Sequence, residues 1–523
     1  MPNIKYDTIV IGSGAGGLTA AVALSNAGQK VLVCEQHGKP GGWTHSFKLE
    51  GHLFSPGVHY IGGLNPGEYL DKVFRGLGVS QDLKFYELNP DGFDHMIIGN
   101  DRFDIPKGKD NYMSRLIERF SDEEKGIRKL FAVIDDIGTL MSSISRKKLP
   151  LTKLSKIKWL WKSGGELIYK HVKDPALRAI LLGQAGDYGL PPSDVSAFVH
   201  LGIMRHYFTG GFYPKGGAIS IAKAFVNALE RAGSKIKQRT LVKKILFEKG
   251  LAVGIETADG DVYHSDNVIS NADPQTTFID LIGKDKLSRK LNKKLSSTRY
   301  STSCVSLFLA VKMDLKQMGF DSGNYWFYEN ADIDKIYSLA QTDHIVHNKP
   351  PAIFMTITSL KDPSKSKDGI HTIEAFFFTN YEPFKKWENE PKGGRSEEYN
   401  QLKSKIMDNM LEFLNERVPS IKDSIVFKNL STPLTVKHYI NSHAGNIYGT
   451  DKILKQIGPF GYTTKTEVPN LYLCGASTFS HGVAGVIGTG LQAAATILKC
   501  KKSTLLDQNG PPIKISLSEA AAK

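Results

Sequence analysis

The stretch YDTIVIGSGAGGLTAAVALSNAGQKVLVCE, residues 6–35, decides the fold of this chain. Its apolar run 8–11 is short and β-branched, which is typical of a buried parallel strand, and it leads directly into the glycine turn 12–17. A helix of small residues follows at about 16–27, and a second strand is predicted at 30–34. This order of strand, glycine turn, helix and strand predicts a dinucleotide-binding Rossmann unit.

Each glycine of the turn serves a separate purpose in such a unit. Gly12 permits the tight turn, Gly14 lets the backbone approach a pyrophosphate, and Gly17 lets the helix pack against the strand. The anion then lies on free N–H groups at the helix N-terminus. Glu35 stands 35 − 12 = 23 residues after the first glycine, where a ribose-binding carboxylate is expected, and it would repel a 2′-phosphate. The motif therefore favours FAD or NAD over NADP.

Composition and cysteine usage restrict the class of protein. With 41% hydrophobic and 23% charged residues, the 523-residue chain has ordinary globular composition and is long enough for two closely joined domains. No apolar run approaches the roughly 18 residues that span a bilayer, and no charged and apolar leader precedes the first strand. The four cysteines form no CxxC pair, which indicates a reducing compartment and argues against a metal site. We therefore expect a cytoplasmic protein with no signal peptide and no transmembrane span.

A large part of the net charge of +14 lies in one segment. Between Arg146 and Lys173 there are nine basic residues and one acid, Glu166, and leucines alternate with Trp159 and Trp161 among the lysines. Tryptophan and leucine beside lysine are typical of a helix in a membrane interface. A surface helix whose tryptophans face the core is about equally compatible with the pattern, and no nucleic-acid module is recognisable. We expect peripheral membrane contact and no nucleic-acid binding.

The loop after the second strand supplies further cofactor candidates. Gln36 and the pair Gly41-Gly42 bring backbone close to a flavin and a pyrophosphate, and flavoproteins commonly place Arg or a small residue after such a pair. Trp43 stands there instead. The loop therefore lacks an ion pair to the cofactor phosphates, and Trp43 is predicted to form a bulky wall near the isoalloxazine.

A turn-rich segment at 54–63 contains the candidates for proton transfer, His59 and Tyr60. An imidazole titrates near neutral pH, and a phenol can donate to a developing anion. The alternative is that both are packed side chains that shape a pocket.

The remaining chain is predicted to make excursions from a discontinuous cofactor domain. Its predicted parts are an FAD-binding domain at 1–65, 215–285 and 436–502, a helical and membrane-facing cap at 66–214, a mixed sheet with aromatic strands at 286–435, and a mobile tail at 503–523. Polar loops are predicted at 361–367 and 392–395. The glycines near 488–490 lie inside a helical pattern, so no separate NAD(P)H-binding domain is predicted.

Several short motifs, in this order and spacing, resemble the phytoene desaturase, carotenoid isomerase and retinol saturase family of FAD proteins, with the retinol saturases the nearest likeness. The motifs that carry the resemblance are GSGAGGL at 12–18, EQHGKPGG at 35–42, HYIGG at 59–63, GGFYPKGG at 210–217, SNAD at 270–273, HY at 438–439, YGTD at 448–451 and VPNLYLCGAS at 468–477.

The resemblance implies an α/β fold with a Rossmann-type FAD-binding domain and an inserted mixed-sheet and helical substrate domain. The FAD contacts are expected at Gly12, Gly14, Ala15, Gly16, Gly17, Glu35, Gln36, Gly41, Gly42, Trp43, Val242, Gly475, Ala476 and Val486. The implied substrate is a lipophilic polyene or unsaturated lipid, and the implied electron partner is a quinone, NAD(P)H or another redox protein.

The expected reaction is reduction of a carbon–carbon double bond, as in a retinol saturase. Carotenoid desaturation or isomerisation, and reduction or isomerisation of an unsaturated fatty acid, remain alternatives. An amine oxidase-like flavoenzyme and a non-catalytic lipid-binding flavoprotein are alternatives of other classes.

Overall fold

A computed structural model of the chain describes residues 5–145, 159 and 161–521, without the side chains of residues 140–145. The strands are β1 Lys5–Ile11, β2 Val31–Cys34, β3 Phe47–Leu49, β4 His52–Phe54, β5 Lys84–Glu87, β6 Asp94–Ile98, β7 Asp101–Ile105, β8 Phe212–Pro214, β9 Lys235–Lys237, β10 Val242–Glu248, β11 Leu251–Thr257, β12 Val262–Ser270, β13 Ser303–Lys312, β14 Asn324–Tyr328, β15 Ala352–Ile357, β16 Ile370–Thr379, β17 Ile425–Ser431, β18 Leu471–Leu473 and β19 Lys514–Leu517.

The α-helices connect and cover these strands. They are α1 Ala15–Asn26, α2 Tyr69–Gly76, α3 Lys109–Arg119, α4 Glu124–Ser145, α5 Gly164–His171, α6 Pro175–Leu182, α7 Ala197–Tyr207, α8 Ile219–Arg231, α9 Arg289–Ser297, α10 Ile333–Leu339, α11 His344–His347, α12 Thr358–Lys361, α13 Glu397–Asn415, α14 Pro433–Ile440 and α15 Gly482–Ile497.

The first sheet is built around β1, which pairs in parallel with β2 on one side and β12 on the other. The sheet has the order β10-β11-β12-β1-β2-β9, and β18 pairs in parallel with β12. Helix α1 is made of small residues, so α15 packs close against it. A Cβ atom on Gly490 would lie 2.2 Å from the carbonyl oxygen of Gly16. The predicted strand, glycine turn, helix and strand are therefore present, and the predicted α/β fold class is confirmed.

The second sheet has the order β17-β13-β16-β15-β14-β6-β7. Its pairs are antiparallel except for β14 with β6. Strands β6 and β7 come from the segment predicted as a helical cap. That prediction is wrong for these residues. β6 pairs with β14, more than 200 residues away, which no local sequence pattern indicates, and β7 pairs with β6.

The C-terminal segment predicted to be a mobile tail contributes a strand. β19 pairs in parallel with β5, which pairs in turn with β8. Ser518 also donates its hydroxyl to the carbonyl oxygen of Leu360 at 2.7 Å. The prediction of mobility is therefore wrong for residues 514–518.

The basic, tryptophan-containing segment lies mostly outside the described residues, which omit 146–158 and 160. Trp159 is 9% exposed and Trp161 is 57% exposed, so the two rings differ in environment. Across the described part of the chain, no helix combines the length and the apolar character needed to cross a bilayer.

Candidate functional site

The glycine turn after β1 forms a cradle with no room for side chains. Gly12 has a φ of +89°, and a Cβ on Gly17 would lie 2.3 Å from the Gly12 carbonyl oxygen. A Cβ on Gly14 would lie 2.6 Å from Asn271 Nδ2, and one on Gly16 would lie 3.0 Å from the Val486 carbonyl oxygen. Because these close approaches leave no space for side chains at the glycines, a ligand would contact the backbone of the turn.

Glu35 follows β2 and is buried beside this turn. Its Oε2 accepts from the backbone N–H of Ser13 at 2.9 Å and from the Ser13 hydroxyl at 2.5 Å. Its Oε1 accepts from the backbone N–H of His37 at 2.8 Å. The carboxylate is thus held at the end of β2, where the sequence predicts the ribose contact.

One cavity runs along the cradle and on to the second sheet. Of the predicted cofactor residues it is lined by Gly12, Gly14, Ala15, Gly16, Glu35, Gln36, Gly41, Gly42, Trp43, Val242, Gly475, Ala476 and Val486. Gly17 does not line it, because this residue lies beneath the turn against Gly12 and Val10. Trp43 forms part of the wall, with its side chain packed against Gly57.

These features fit a bound FAD. Helix α1 begins after Gly14, and no side chain caps the free N–H groups of its first turn, so they remain open to an anionic diphosphate. The buried carboxylate of Glu35 lines the same cavity, and Trp43 and His59 line it too and would be available to the isoalloxazine. The cradle would hold the diphosphate through backbone donors, and Glu35 would hold the ribose.

Beyond the cradle, the second sheet presents a polar row beside an aromatic row. Asp94, Asn324, Thr356 and Glu374 are cross-strand partners on β6, β14, β15 and β16. The neighbouring row lies two residues away on each strand. Its cross-strand partners are Met96, Trp326, Phe354 and Phe376. Because side chains two residues apart share a face, one face of the sheet carries both rows.

His59 lies where the two rows meet. Its ring centroid is 5.1 Å from that of Phe354 and 5.5 Å from that of Phe376. Its Nδ1 lies 3.2 Å from Oε2 of Glu374, and both atoms are buried with no aligned hydrogen bond. Burial lowers the pKa of His59, and the contact with Glu374 only partly opposes this. His59 lines the cavity and is held mainly neutral at pH 7.

Two buried lysines surround Glu374. Lys365 Nζ lies 3.6 Å from Glu374 Oε1 and donates to the Thr358 hydroxyl at 2.7 Å. Burial raises the pKa of Glu374, but Lys365 and His59 outweigh it and hold that pKa below its ordinary value. Burial also lowers the pKa of Lys361 to about 7, and Lys361 Nζ donates to the His59 carbonyl oxygen at 2.7 Å.

Glu374, Lys361 and Lys365 were not among the sequence candidates. The lysines fall in a segment predicted as a polar loop, and that prediction is wrong for them because both are buried. The sequence did contain a signal for Glu374, since it is the single acid in the mostly apolar strand β16. The lysines had none, because nothing local to residues 361–365 indicates the sheet that covers them.

Tyr60, the second candidate for proton transfer, does not line the cavity. Its ring stacks on that of Tyr207 with centroids 4.2 Å apart. Its hydroxyl lies 3.1 Å from an oxygen of Asp94 and 3.1 Å from an oxygen of Asp187, and one hydrogen can serve only one of them. Burial and the charge of Asp94 raise the pKa of Asp187 well above its ordinary value.

The fold and the dinucleotide cradle define a flavin oxidoreductase. The family model of flavin containing amine oxidoreductases matches residues 15–498, and the chain belongs to that family. The predicted cofactor, FAD, is confirmed by this membership.

The chain also resembles particular proteins along almost its whole length. It is 32% identical to the all-trans-retinol 13,14-reductase of Danio rerio, over 94% of this chain and 86% of that protein. It is 27% identical to prolycopene isomerase 1, chloroplastic, of an Oncidium hybrid cultivar, over 96% of this chain and 86% of that protein. The predicted kinship with the carotenoid isomerases and retinol saturases is confirmed.

A solved structure supports the fold alone. An oxidoreductase from Methanosarcina mazei superposes with a TM-score of 0.64 at 19% identity, covering 94% of this chain and 99% of that one.

Proposed function

We propose that this protein is an FAD-dependent oxidoreductase that reduces a carbon–carbon double bond of a lipophilic polyene. The observation that carries the proposal is the single cavity that joins the dinucleotide cradle to His59 and Phe376. The likeness to an all-trans-retinol 13,14-reductase supports reduction of a polyene. The likeness to a prolycopene isomerase favours isomerisation as the second candidate, because a polyene in the same cavity could be rearranged without net reduction.

The aromatic row of the second sheet suits an apolar substrate. Phe376 lines the cavity, Phe354 packs on Phe376 with ring centroids 4.9 Å apart, and Trp326 packs on Phe354 at 4.6 Å. Trp326 Nε1 is already bonded to Asp94 at 3.0 Å. A polyene against such a wall excludes water from the reacting carbons.

When bound, FAD supplies hydride transfer to or from carbon. His59 is the side chain proposed to move the accompanying proton. A hydrogen on Nδ1 would be directed at Glu374 Oε2, so Nε2 would first take up a proton from solvent, with the resulting imidazolium stabilised by Glu374, and would then give that proton to the substrate carbon. Lys361 fixes the backbone of His59 through its carbonyl oxygen.

Tyr60 is proposed to act indirectly, through the two carboxyl groups that its hydroxyl contacts. Its hydroxyl lies between carboxyl oxygens of Asp94 and Asp187, so it orients these two groups and does not itself face the cavity. Its role is therefore positioning.

Peripheral membrane contact is the proposed route for the lipid. Trp161, Phe460 and Phe479 are 57%, 49% and 62% exposed. Trp161 pairs with Phe460 at 6.3 Å between centroids, and Phe479 pairs with Phe198 at 6.2 Å. The segment at 161–163 is joined to that at 196–197 by backbone pairing, so these rings form one exposed aromatic surface, and Trp161 belongs to the basic segment by sequence. Aromatic and basic residues together favour a membrane interface.

The electron partner is proposed to be external, as a quinone, NAD(P)H or another redox protein. The glycines 488 and 490 lie within α15, which supports the view that the chain has no separate nicotinamide domain.

The proposed function is tested by anaerobic incubation of the chemically reduced holoprotein with retinol, phytoene, lycopene isomers and polyunsaturated fatty acids. Mass spectrometry should find one panel member about two hydrogens heavier. A product of unchanged mass but altered retention time would favour the isomerase. A separate aerobic assay gives the oxidised holoprotein a panel of amines. Hydrogen peroxide formed there, with every lipid unchanged in the first assay, would indicate an amine oxidase.

A further inference from the structure

The predicted polar loop 392–395, with the sequence Lys-Gly-Gly-Arg, lies at the mouth of the cofactor cavity. Tyr439 lines that cavity, and Lys392 Nζ lies 3.9 Å from the centroid of its ring. The rings of His438 and His37 lie 4.9 Å and 5.3 Å from the ring of Tyr439. We call Lys392, Arg395, His438 and His37 the cation cluster.

The cation cluster has no acidic counterpart. Among residues 5–145, 159 and 161–521, no carboxylate lies within ion-pair distance of any of the four side chains, and Arg395 Nε is buried without a hydrogen-bond partner. Nearby lysines are paired differently, since Lys386 bonds Glu398 and Lys437 bonds Glu388. These two lysines therefore have acidic partners, whereas the described residues give Lys392 and Arg395 none.

Lys392 and Arg395 carry the charge of the cluster and repel each other. Burial and the charge of Arg395 lower the pKa of Lys392, and burial and the same two cations lower that of His438. His37 follows the Rossmann unit, whereas Lys392 and Arg395 lie in the loop before α13. Two cations without a counter-ion among the described residues, beside two imidazoles that can offer N–H donors, are an arrangement that a bound anion stabilises.

A phosphate is the anion that this position needs. The glycine cradle supplies backbone donors to a diphosphate, but Trp43 occupies the loop position where flavoproteins commonly have Arg. We propose that the cation cluster binds the diphosphate of a dinucleotide at the mouth of the cavity. The diphosphate comes either from FAD itself or from a nicotinamide dinucleotide that serves as the electron donor, and the second source rests on the proposed function.

The test compares the double variant Lys392→Gln/Arg395→Gln with a control, Lys367→Gln/Lys405→Gln. The control removes the same charge from exposed sites in the same part of the chain. In the first arm, FAD is titrated into apoprotein and followed by flavin fluorescence. In the second arm, NADPH, NADH and inorganic pyrophosphate are titrated into holoprotein by calorimetry at low and high salt.

The proposal predicts that the double variant binds at least one of these ligands about tenfold more weakly than the control, with a weaker salt dependence. A loss confined to the FAD arm assigns the cluster to the cofactor, and a loss confined to the second arm assigns it to an external dinucleotide. Equal affinities of the two variants in both arms would overturn the proposal. Where the double variant does not fold, Lys392→Gln alone, at an exposed loop position, gives the same comparison. Neither arm uses a lipid, so a failure of the lipid panel leaves this result intact.

Discussion

Replacing Glu374 by glutamine isolates the charge at the centre of the buried polar row. Glu374 is 2% exposed, and its Oε1 accepts from the backbone N–H of Ser55 at 2.7 Å and lies 3.6 Å from Lys365 Nζ. Glutamine keeps the shape and the acceptor for Ser55 but removes the negative charge. The variant therefore leaves Lys365 buried without its counter-ion.

Breaking a buried ion pair costs about 3 to 5 kcal/mol. We expect a cost of about 3 kcal/mol. Burial already lowers the pKa of Lys365, so the lysine that loses its partner can release its proton and become neutral. For a chain of 523 residues, a loss of about 3 kcal/mol corresponds to a fall in Tm of about 2 to 5 °C. The pKa of Glu374 is held below its ordinary value, so the carboxylate stabilises the fold at neutral pH and that contribution is lost as the pH falls through the folded-state pKa.

Scanning calorimetry of holoprotein at pH 7 measures the change. The matched control is Glu416→Gln, which breaks an exposed pair with Lys349 and should alter Tm little. The double variant Glu374→Gln/Lys365→Met should recover part of the loss, because no buried charge is then left unpaired. A Tm unchanged in Glu374→Gln, or strictly additive losses in the double variant, would refute the ion-pair account.

Three further predictions concern the proton, the cradle and acid stability. His59→Phe should keep its flavin absorbance but form product about 10² to 10⁴ times more slowly in single-turnover assays, whereas a rate close to wild type would remove His59 from proton transfer. Gly14→Ala should purify with less bound flavin, because its Cβ would lie 2.6 Å from Asn271 Nδ2, and full flavin occupancy would contradict the close approach. His200 is 1% exposed and burial lowers its pKa to about 4, so the unfolded chain binds its proton first as the pH falls below 6.5. The free energy of unfolding should fall by about 3 kcal/mol towards pH 4, less so in His200→Gln, and equal pH slopes in denaturant titrations would refute this.

The sequence predicted those parts of the structure that are determined by patterns of adjacent residues. α1 and β2 begin and end within one residue of their predicted limits, and β1 ends where predicted but begins three residues earlier, because strand, glycine turn and helix are each encoded by adjacent residues. Gly14, Glu35 and His59 were named as candidates, and they line one cavity.

What the sequence did not predict depends on long-range pairing. β6 joins β14 across some 230 residues, and β19 joins β5 across some 430. The contact between His59 and Glu374 arises only because β16 passes beneath the 54–63 turn. Glu374 could have been suspected as a lone acid in an apolar strand, whereas Lys361 and Lys365 carried no local signal of burial.

The central claim is that reduced flavin in this cavity reduces a polyene. The most direct measurement mixes the anaerobically reduced holoprotein with all-trans-retinol and follows the polyene absorbance and the oxidised flavin band together. The account predicts that polyene absorbance falls as the flavin band returns, with one product formed per flavin. A flavin that stays reduced beside unchanged retinol, and beside each other member of the lipid panel, would contradict it.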